Sequence, residues 1–240
     1  MIALQQADPN GSLPAGDALI RATDLHKRFG ASVALQGLSL EIRGGEVVAV
    51  LGPSGSGKST LLLCLAGIIA PDTGEVAYRG RTLGGLSDTA LTRLRRDEFG
   101  FVFQFGQLVP ELTAIDNVAL PLRLAGLKGR DAEARARSWL ERLDVLDVAN
   151  KRAGDMSGGE AQRVAVARAL VTGPRALFAD EPTGSLDSLN GEMVMDLLVS
   201  AARDNGTTVV LVTHEARIAA YADREIVIRD GKLAPAAVLV

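Results

Sequence analysis

Gly52-Pro-Ser-Gly-Ser-Gly-Lys58-Ser59-Thr60 is the stretch that decides the fold of this chain. It follows an apolar run at 47–51 and precedes another at 61–66, a pattern that predicts a buried strand, a glycine-rich loop and a helix. This order is typical of a phosphate-binding loop, because glycines let several backbone N–H groups turn toward one anion. We expect Lys58 to reach the β- and γ-phosphates and the Ser59 hydroxyl to ligate Mg²⁺.

The charge balance excludes a broadly basic nucleic-acid-binding surface. The chain has 26 Lys and Arg residues against 29 Asp and Glu residues, a formal net charge of −3. Domains that bind nucleic acid through general electrostatics are basic. We therefore expect no nucleic-acid partner.

Cysteine content and hydropathy favour a soluble cytoplasmic protein. The single cysteine, Cys64, offers neither a disulfide framework nor a Cys/His metal cluster, which fits a reducing compartment. No apolar run approaches the roughly 18 residues that span a bilayer. Residues 1–17 lack the basic and apolar regions of a secretory signal, and their polar composition predicts a mobile extension. A membrane-embedded partner remains compatible with these features.

The rest of the chain reads as alternating strands and helices with a helical insert. A polar turn is predicted at 26–30, and Thr113 is predicted to start a helix that Pro121 kinks or ends. Between Phe105 and about Arg152 the composition becomes helical, which predicts an insert between two parts of a sheet-based core. Strands are predicted at 18–23, 33–42, 47–51, 75–78, 100–103, 175–179, 208–212 and 225–228, and further helices at 87–96, 131–143, 156–170 and 193–202.

Three apolar runs end where polar residues of catalytic type begin. They end at Leu51, Ala179 and Val212, and a fourth short strand ends at Gln104. In a parallel sheet these ends share one edge, which is where doubly wound folds bind ligands. The sequence therefore predicts one site at this edge, built from Lys58, Ser59, Gln104, Asp180, Glu181 and His214.

The acidic pair of this edge predicts metal binding and water activation. Asp180 follows four apolar residues and would hold Mg²⁺ opposite Ser59. Glu181 stands one residue further out, where it could orient or deprotonate an attacking water. His214 could contact the γ-phosphate and hold the water and Glu181 in line. Alternatively, residues 180–182 simply start a turn and His214 is an ordinary residue at a strand end.

Two further features are ambiguous from the residues alone. Ser157-Gly158-Gly159 opens a helix and offers the backbone donors and positive dipole end that suit a second phosphate. A second phosphate site implies either two ligands or a site completed by a second copy of the chain. Phe29 could stack on a purine ring or could be a small core residue under a turn.

The ordered set of motifs resembles the nucleotide-binding subunit of an ABC transporter over residues 18–233. That resemblance implies an α/β fold, with a P-loop NTPase (RecA-like) core, an antiparallel β subdomain and an inserted α-helical subdomain at about 105–172. Residues 234–240 would then be a C-terminal tail. Its motifs here are Phe29 (A-loop), Gly52 to Thr60 (Walker A), Gln104 (Q-loop), Met156 to Gln162 (signature), Arg175 to Glu181 (Walker B), Ser185-Leu186-Asp187 (D-loop) and His214 (switch histidine).

The resemblance also implies an ATP hydrolase in which two copies pair head to tail around two ATP molecules. Ser157 and Gly159 of one copy would cap the ATP held by Lys58 of the other. Catalysis would fall to Glu181, His214, Lys58 and Gln104, and Mg²⁺ would be held by Ser59, Gln104 and Asp180. The implied ATP-binding residues are Phe29, Gly52, Pro53, Ser54, Gly55, Ser56, Gly57, Lys58, Ser59, Thr60, Ser157, Gly158, Gly159 and Asp187.

Within that family, residues 103–122 and 179–184 look like the MacB, LolD and FtsE branch. The branch implies a peripheral protein on the cytoplasmic face of the membrane, where it powers a permease of few transmembrane helices by mechanotransmission. Its expected outputs are efflux, lipoprotein release or resistance to antimicrobial peptides. The alternative is a regulatory ATPase that signals to cell-wall hydrolases through a membrane partner that transports nothing. The chain departs from the usual signature at Met156, at Glu160-Ala161 and in lacking a proline at 153–155.

Other classes explain fewer of the motifs. A dinucleotide-binding loop is disfavoured because the G-x-G that starts at Gly55 has Thr60 in its last place. A kinase or GTPase would share only the phosphate-binding loop. Soluble ABC proteins of translation carry two cassettes, and those of DNA repair carry long coiled coils or zinc-binding cysteines, which this sequence does not contain.

Overall fold

The computed structural model describes residues 18–234. The predicted mobile extension, residues 1–17, lies outside the described residues, as does the predicted tail after Ala234. Within the described chain no helix is both long and apolar enough to cross a bilayer.

A six-stranded sheet forms the centre of the molecule. Its spatial order is β10-β9-β3-β8-β7-β6, and neighbouring strands from β9 to β6 run parallel. The strand sequences are short and almost wholly apolar, as expected for strands that are covered on both faces. The strands are β3 (Val47–Leu51), β6 (Phe99–Phe103), β7 (Ala176–Asp180), β8 (Thr208–Val212), β9 (Arg224–Arg229) and β10 (Lys232–Leu233).

The register of this sheet aligns the ends of four strands. Val50 pairs with Val212, Val212 with Asp180, and Asp180 with Phe103. The residues that follow this row therefore leave the sheet at one common edge, as predicted for a parallel sheet.

A second sheet is antiparallel, with the order β2-β1-β4-β5. The polar turn predicted at 26–30 is wrong, because the chain stays in β1 through Phe29, where it pairs with Ser32 of β2. The pairing of β1 with β2 contains several register shifts. The turn itself is shorter than predicted, and Gly30 in it has φ 59°. The strands are β1 (Ala18–Phe29), β2 (Ser32–Arg43), β4 (Thr73–Tyr78) and β5 (Arg81–Thr82).

Seven α-helices surround the sheets in the described chain. Pro121 does not end α3, which continues to Leu124. As predicted, Thr113 caps this helix, since its hydroxyl accepts a hydrogen bond from Asp116 N at 3.3 Å. The helices are α1 (Lys58–Leu65), α2 (Asp88–Glu98), α3 (Ala114–Leu124), α4 (Gly129–Arg142), α5 (Gly158–Leu170), α6 (Ser188–Asp204) and α7 (Ala216–Ala219).

The central sheet separates two apolar cores. Val48 and Val50 of β3 face a core shared with α1 and the antiparallel sheet. Val47 faces a second core, shared with α3 to α6. Alternate residues of a strand point to opposite faces, so one sheet organises both layers. The expected α/β fold with an antiparallel second sheet and helices is confirmed.

Candidate functional site

The loop between β3 and α1 is so closely packed that two of its positions accept only glycine. Gly57 has φ 101°, and a Cβ there would lie 2.2 Å from the carbonyl oxygen of Ala34. Gly52 has φ 151°, and a Cβ there would lie 2.2 Å from the carbonyl oxygen of Ile228. Both conformations are ones that residues with side chains rarely adopt. The loop is therefore held against the backbone of both sheets.

Ser56 and Lys58 fit an anion at the centre of this loop. The Ser56 hydroxyl is buried and has no hydrogen-bond partner among the described residues. The Lys58 side chain is 7% exposed, and its ammonium donates to the carbonyl oxygens of Gly52 and Pro53, both at 2.9 Å. A hydroxyl donor, an ammonium and the N–H groups at the start of α1 are the groups that bind phosphates.

Ser59 and Asp180 meet although 121 positions separate them in the sequence. The Ser59 hydroxyl donates to Oδ1 of Asp180 at 3.1 Å. Burial raises the pKa of Asp180, and the nearby Glu181 charge adds to this, while the Ser59 hydrogen bond and Lys58 act in the opposite direction. Hydroxyl and carboxylate oxygens are the donors that Mg²⁺ prefers, and a cation would favour the charged carboxylate. The pair therefore fits a magnesium ion.

Glu181 and His214 form a second contact at this edge. Nδ1 of His214 lies 2.9 Å from Oε1 of Glu181, whereas Oε2 is buried without a hydrogen-bond partner among the described residues. The Glu181 backbone has φ 48°, and its N–H donates to the carbonyl oxygen of Val212 at 2.9 Å. One carboxylate oxygen is thus fixed by the histidine, and the other remains able to accept a proton.

Gln104 follows β6 and lies against the segment after Glu181. A Cβ on Gly184 would come within 2.8 Å of Nε2 of Gln104. The Ser185 hydroxyl donates to the Gln104 carbonyl oxygen at 2.7 Å. The glutamine is therefore placed one strand beyond Asp180, at the same edge of the sheet.

Phe29 lies at the end of β1, in the antiparallel sheet. Its ring is 53% exposed, so the alternative of a buried core residue does not describe it. The Lys27 ammonium lies 5.6 Å from the ring centroid and pairs with Asp72 at 2.8 Å. The aromatic face is held by a neighbouring cation, an arrangement that stabilises an exposed ring.

Ser157, Gly158 and Gly159 form the start of α5. Ser157 makes a full capping box, since its hydroxyl accepts from Glu160 N and its N–H donates to the Glu160 carboxylate at 2.6 Å. The loop is largely exposed. The hydrogen bonds of Ser157 among the described residues stay within the start of α5.

Asp187 is the N-cap of α6. Its carboxylate accepts from Asn190 N at 3.0 Å and from Asn190 Nδ2 at 2.7 Å. These hydrogen bonds to Asn190 lower the pKa of Asp187. Asn190 also contacts the signature loop, since a Cβ on Gly159 would lie 3.2 Å from its Oδ1.

Three polar side chains that hold the backbone of the 103–113 segment were not identified as site residues from the sequence. Asn117 is fully buried and bonds to the backbone of Val109 through both its side-chain oxygen and its side-chain nitrogen. Gln162 and Arg168 of α5 donate to backbone carbonyls on either side of Gln104. Gln162 and Asn117 stand within the signature and within the stretch 103–122, respectively, but no role was predicted for either of them, and Arg168 is marked only as a polar residue on an otherwise apolar helix face.

Comparison with known proteins places this geometry in a family. The family described as ABC transporter matches residues 35–184, which is more than half of the chain. The chain belongs to the ABC transporter family. It is the ATP-binding subunit of such a transporter and an ATP hydrolase.

The sequence similarity between this chain and its relatives extends over most of the length of each protein. The lipoprotein-releasing system ATP-binding protein LolD 2 of Caulobacter vibrioides is 47% identical over 199 residues, which cover 83% of this chain and 87% of the relative. The LolD protein of Granulibacter bethesdensis is 47% identical over 205 residues, 85% and 89% of the two chains. A solved ATP-binding cassette, dimeric and bound to ADP and phosphate after hydrolysis, is 39% identical with a TM-score of 0.83, covering 90% of this chain and 97% of that one.

Proposed function

We propose that two copies of this cassette pair head to tail around two ATP molecules and that hydrolysis drives a membrane permease in lipoprotein release. The observation that carries the proposal is the common sheet edge, where Ser59 meets Asp180 and Glu181 meets His214 beside Lys58. We base the proposed cargo on the names of the relatives, which are ATP-binding proteins of lipoprotein-releasing systems.

In the proposed site the 52–60 loop surrounds the phosphates of ATP. Lys58 would donate to the β- and γ-phosphates, and the exposed face of Phe29 would take the adenine base. Ser59, Asp180 and Gln104 would hold Mg²⁺, which when bound neutralises charge on the phosphates.

Glu181 is the proposed general base. Its buried and unpartnered Oε2 would accept a proton from the attacking water, while His214 holds Oε1 and thereby fixes the direction of the carboxylate. The left-handed backbone of Glu181 is supported by the hydrogen bond to Val212, which places the side chain beyond the end of β7. Strained backbone of this kind concentrates at functional sites.

Pairing of two copies would complete each ATP site. Ser157, Gly158 and Gly159 are exposed or partly exposed at a helix N-terminus. In the pair they would bind the γ-phosphate held by the other copy, with Asp187 beside them. The solved dimeric cassette with ADP and phosphate supports this arrangement.

An apolar surface beside Gln104 supports a membrane partner. Phe105 is 75% exposed. A nearby groove is lined by Phe101, Phe103, Pro121 and Leu124, and the last of these is 63% exposed. Exposed apolar surface of this kind marks interaction sites. We propose that a permease docks here and holds the cassette at the cytoplasmic face of the membrane. The LolD relatives favour lipoprotein release over the regulatory alternative.

Two substitutions test the ATPase part of the proposal. Lys58→Ala should abolish ATP binding, measured with a fluorescent nucleotide on the purified chain. Glu181→Gln should retain binding, lower turnover by about 100-fold or more and trap an ATP-bound dimer in size-exclusion chromatography. Undiminished affinity in the first variant, or full turnover in the second, would contradict the proposed roles.

The cargo is tested with the membrane partner present. The permease that copurifies with the chain should be reconstituted in vesicles, and acylated lipoprotein should raise ATP turnover and leave the membrane in an ATP-dependent way. The same complex with Glu181→Gln is the control for release. If lipoprotein does not change ATP turnover, the result would contradict lipoprotein release and favour the regulatory alternative.

A further inference from the structure

Arg168 of α5 holds the tight turn that follows Gln104. Its guanidinium donates to the carbonyl oxygen of Gly106 at 2.7 Å and to that of Gln107 at 2.8 Å. Both residues are left-handed, with φ 65° and 46°, and the Gln107 N–H closes the turn on the Phe105 carbonyl at 2.7 Å. Two consecutive carbonyls therefore face one planar donor group, a geometry that matches the fixed fork of a guanidinium.

The guanidinium makes these contacts without an acidic partner. No ion pair among residues 18–234 includes Arg168, and burial lowers the pKa of its guanidinium. Arg168 is half-buried, and its side chain lines the groove of Phe101 and Phe103. A partly desolvated cation is favourable only where its hydrogen bonds are made, and its partners here are the two carbonyls of the turn.

Gln162, on the same helix, holds the chain on the other side of Gln104. Its Nε2 donates to the carbonyl oxygen of Phe103 at 2.9 Å, and its side chain is 2% exposed. Gly106 lies so close that a Cβ there would come within 3.3 Å of Oε1 of Gln162. The backbone before and after Gln104 is thus bound to a single helix.

We propose that Arg168 is a positioning residue that ties Gln104 to α5, so that Gln104 and the Ser157 to Gly159 loop move as one unit. The loop is the N-terminus of α5, and the tie lies at its C-terminal end. The inference rests on the proposed function, which gives Gln104 a role toward one ATP and gives the loop a role toward the other.

The tie links the two ATP sites of a pair through one helix. When the loop of one copy closes on the ATP of its partner, α5 carries the backbone of its own Gln104 with it. A helix is stiff over this length, and a shift of about 1 Å in a positioning group is enough to change turnover up to about 100-fold.

The first test measures the turn directly, in the full chain without nucleotide. Arg168→Met keeps an unbranched side chain that replaces the apolar stem of arginine and removes its donors, and amide hydrogen exchange of residues 104–108 should become at least about tenfold faster. Arg168→Lys should give an intermediate rate, because an ammonium keeps the charge and the donors but lacks the planar fork that is matched to both carbonyls. Arg142→Met is the matched control, since Arg142 pairs with Asp204 and does not touch this turn. Unchanged exchange in both Arg168 variants would overturn the tie.

The second test is a double-mutant cycle on ATP turnover with Gln104→Ala. Arg168→Met should lower kcat by about tenfold with the affinity for ATP unchanged, and should have no further effect once Gln104 is alanine. Effects that multiply would show that Arg168 acts elsewhere and would overturn the inference. If Gln104→Ala lowers kcat and Arg168→Met does not, only the tie fails; if Gln104→Ala has no effect, the proposed role of Gln104 fails with it. Should Arg168→Met not fold, Arg168→Lys carries the same cycle.

Discussion

Asp180 serves the magnesium site at a cost to the stability of the fold. Burial, with the Glu181 charge in addition, raises its pKa in the folded chain. As pH rises, the Asp180 carboxyl of the unfolded chain loses its proton before that of the folded chain. The free energy of unfolding therefore falls between the ordinary pKa and the raised one, and it stays lowered at all higher pH.

Asp180→Asn should accordingly raise the thermal midpoint of the nucleotide-free chain at pH 7. The gain should shrink as pH is lowered through the raised pKa, where the wild-type carboxyl is itself neutral. Binding of Mg²⁺ with ATP should weaken in the same variant. Asp187→Asn is the control, because hydrogen bonds lower the pKa of Asp187 and its charge is favourable in the fold. A lower midpoint for Asp180→Asn would contradict this account.

Glycine at position 57 is required by space as well as by backbone angle. Gly57→Ala should lower the free energy of unfolding by several kcal/mol, roughly 1–3 from the positive φ and the remainder from overlap with the Ala34 carbonyl. Gly55→Ala is the matched control, because Gly55 also has positive φ, 77°, but nothing lies within 4 Å of its Cβ position. Equal losses in denaturant unfolding for the two variants would rule out the steric part.

Site residues that belong to a local sequence pattern could be predicted, whereas residues whose hydrogen-bond partners are remote in the sequence could not. Lys58 and Asp180 stand at fixed places after apolar strands, so their meeting with Ser59 at one edge was predictable. Arg168 and Gln162 bind carbonyls 59 to 62 positions away, and no local pattern records such a partner. Their detection needs the packing of α5 against the end of β6.

At the scale of elements, Ser157 is expected both to stabilise α5 as its N-cap and to take part in ATP-dependent pairing, and substitutions can separate the two effects. Ser157→Ala should lower the free energy of unfolding by about 1 kcal/mol, the usual effect of losing an N-cap. Thr113→Ala, at the N-cap of α3, should cost about the same. Only Ser157→Ala should also weaken ATP-dependent pairing, measured by analytical ultracentrifugation. Equal pairing in the two variants would remove Ser157 from the proposed interface.

Elements were predictable where the apolar period is regular and were not where tertiary pairing overrides local preference. The runs of β3, β7 and β8 matched their predicted positions within one residue. The charged end of β1 reads as a turn, and its pairing with β2 on one side and with β4 and Asp72 on the other keeps it extended. Pro121 is predicted to kink or end its helix, and the structure rules out only the end, since α3 continues to Leu124 with Leu122 buried among the neighbouring helices.

At the scale of the whole molecule, the proposed pair predicts a crosslink between chains. Ser54 and Ser157 are both exposed. Cysteines at these two positions should form a disulfide between two chains only when ATP and Mg²⁺ are added to the Glu181→Gln variant. Each single cysteine is the control, since Cys64 is buried. A disulfide within one chain would overturn the head-to-tail arrangement.

The common register of the sheet fixes the spacing between the strand ends that carry the site residues. Strands lie about 4.8 Å apart, so the three steps from β3 to β6 separate the ends of these two strands by roughly 14 Å, which the side chains beyond the strand ends must span. Insertions in the connecting loops leave this distance unchanged, and a slip by one residue would turn every side chain of a strand to the opposite face. The chemistry is therefore protected by backbone pairing, while the loops and the surface around Phe105 remain free to adapt to different membrane partners.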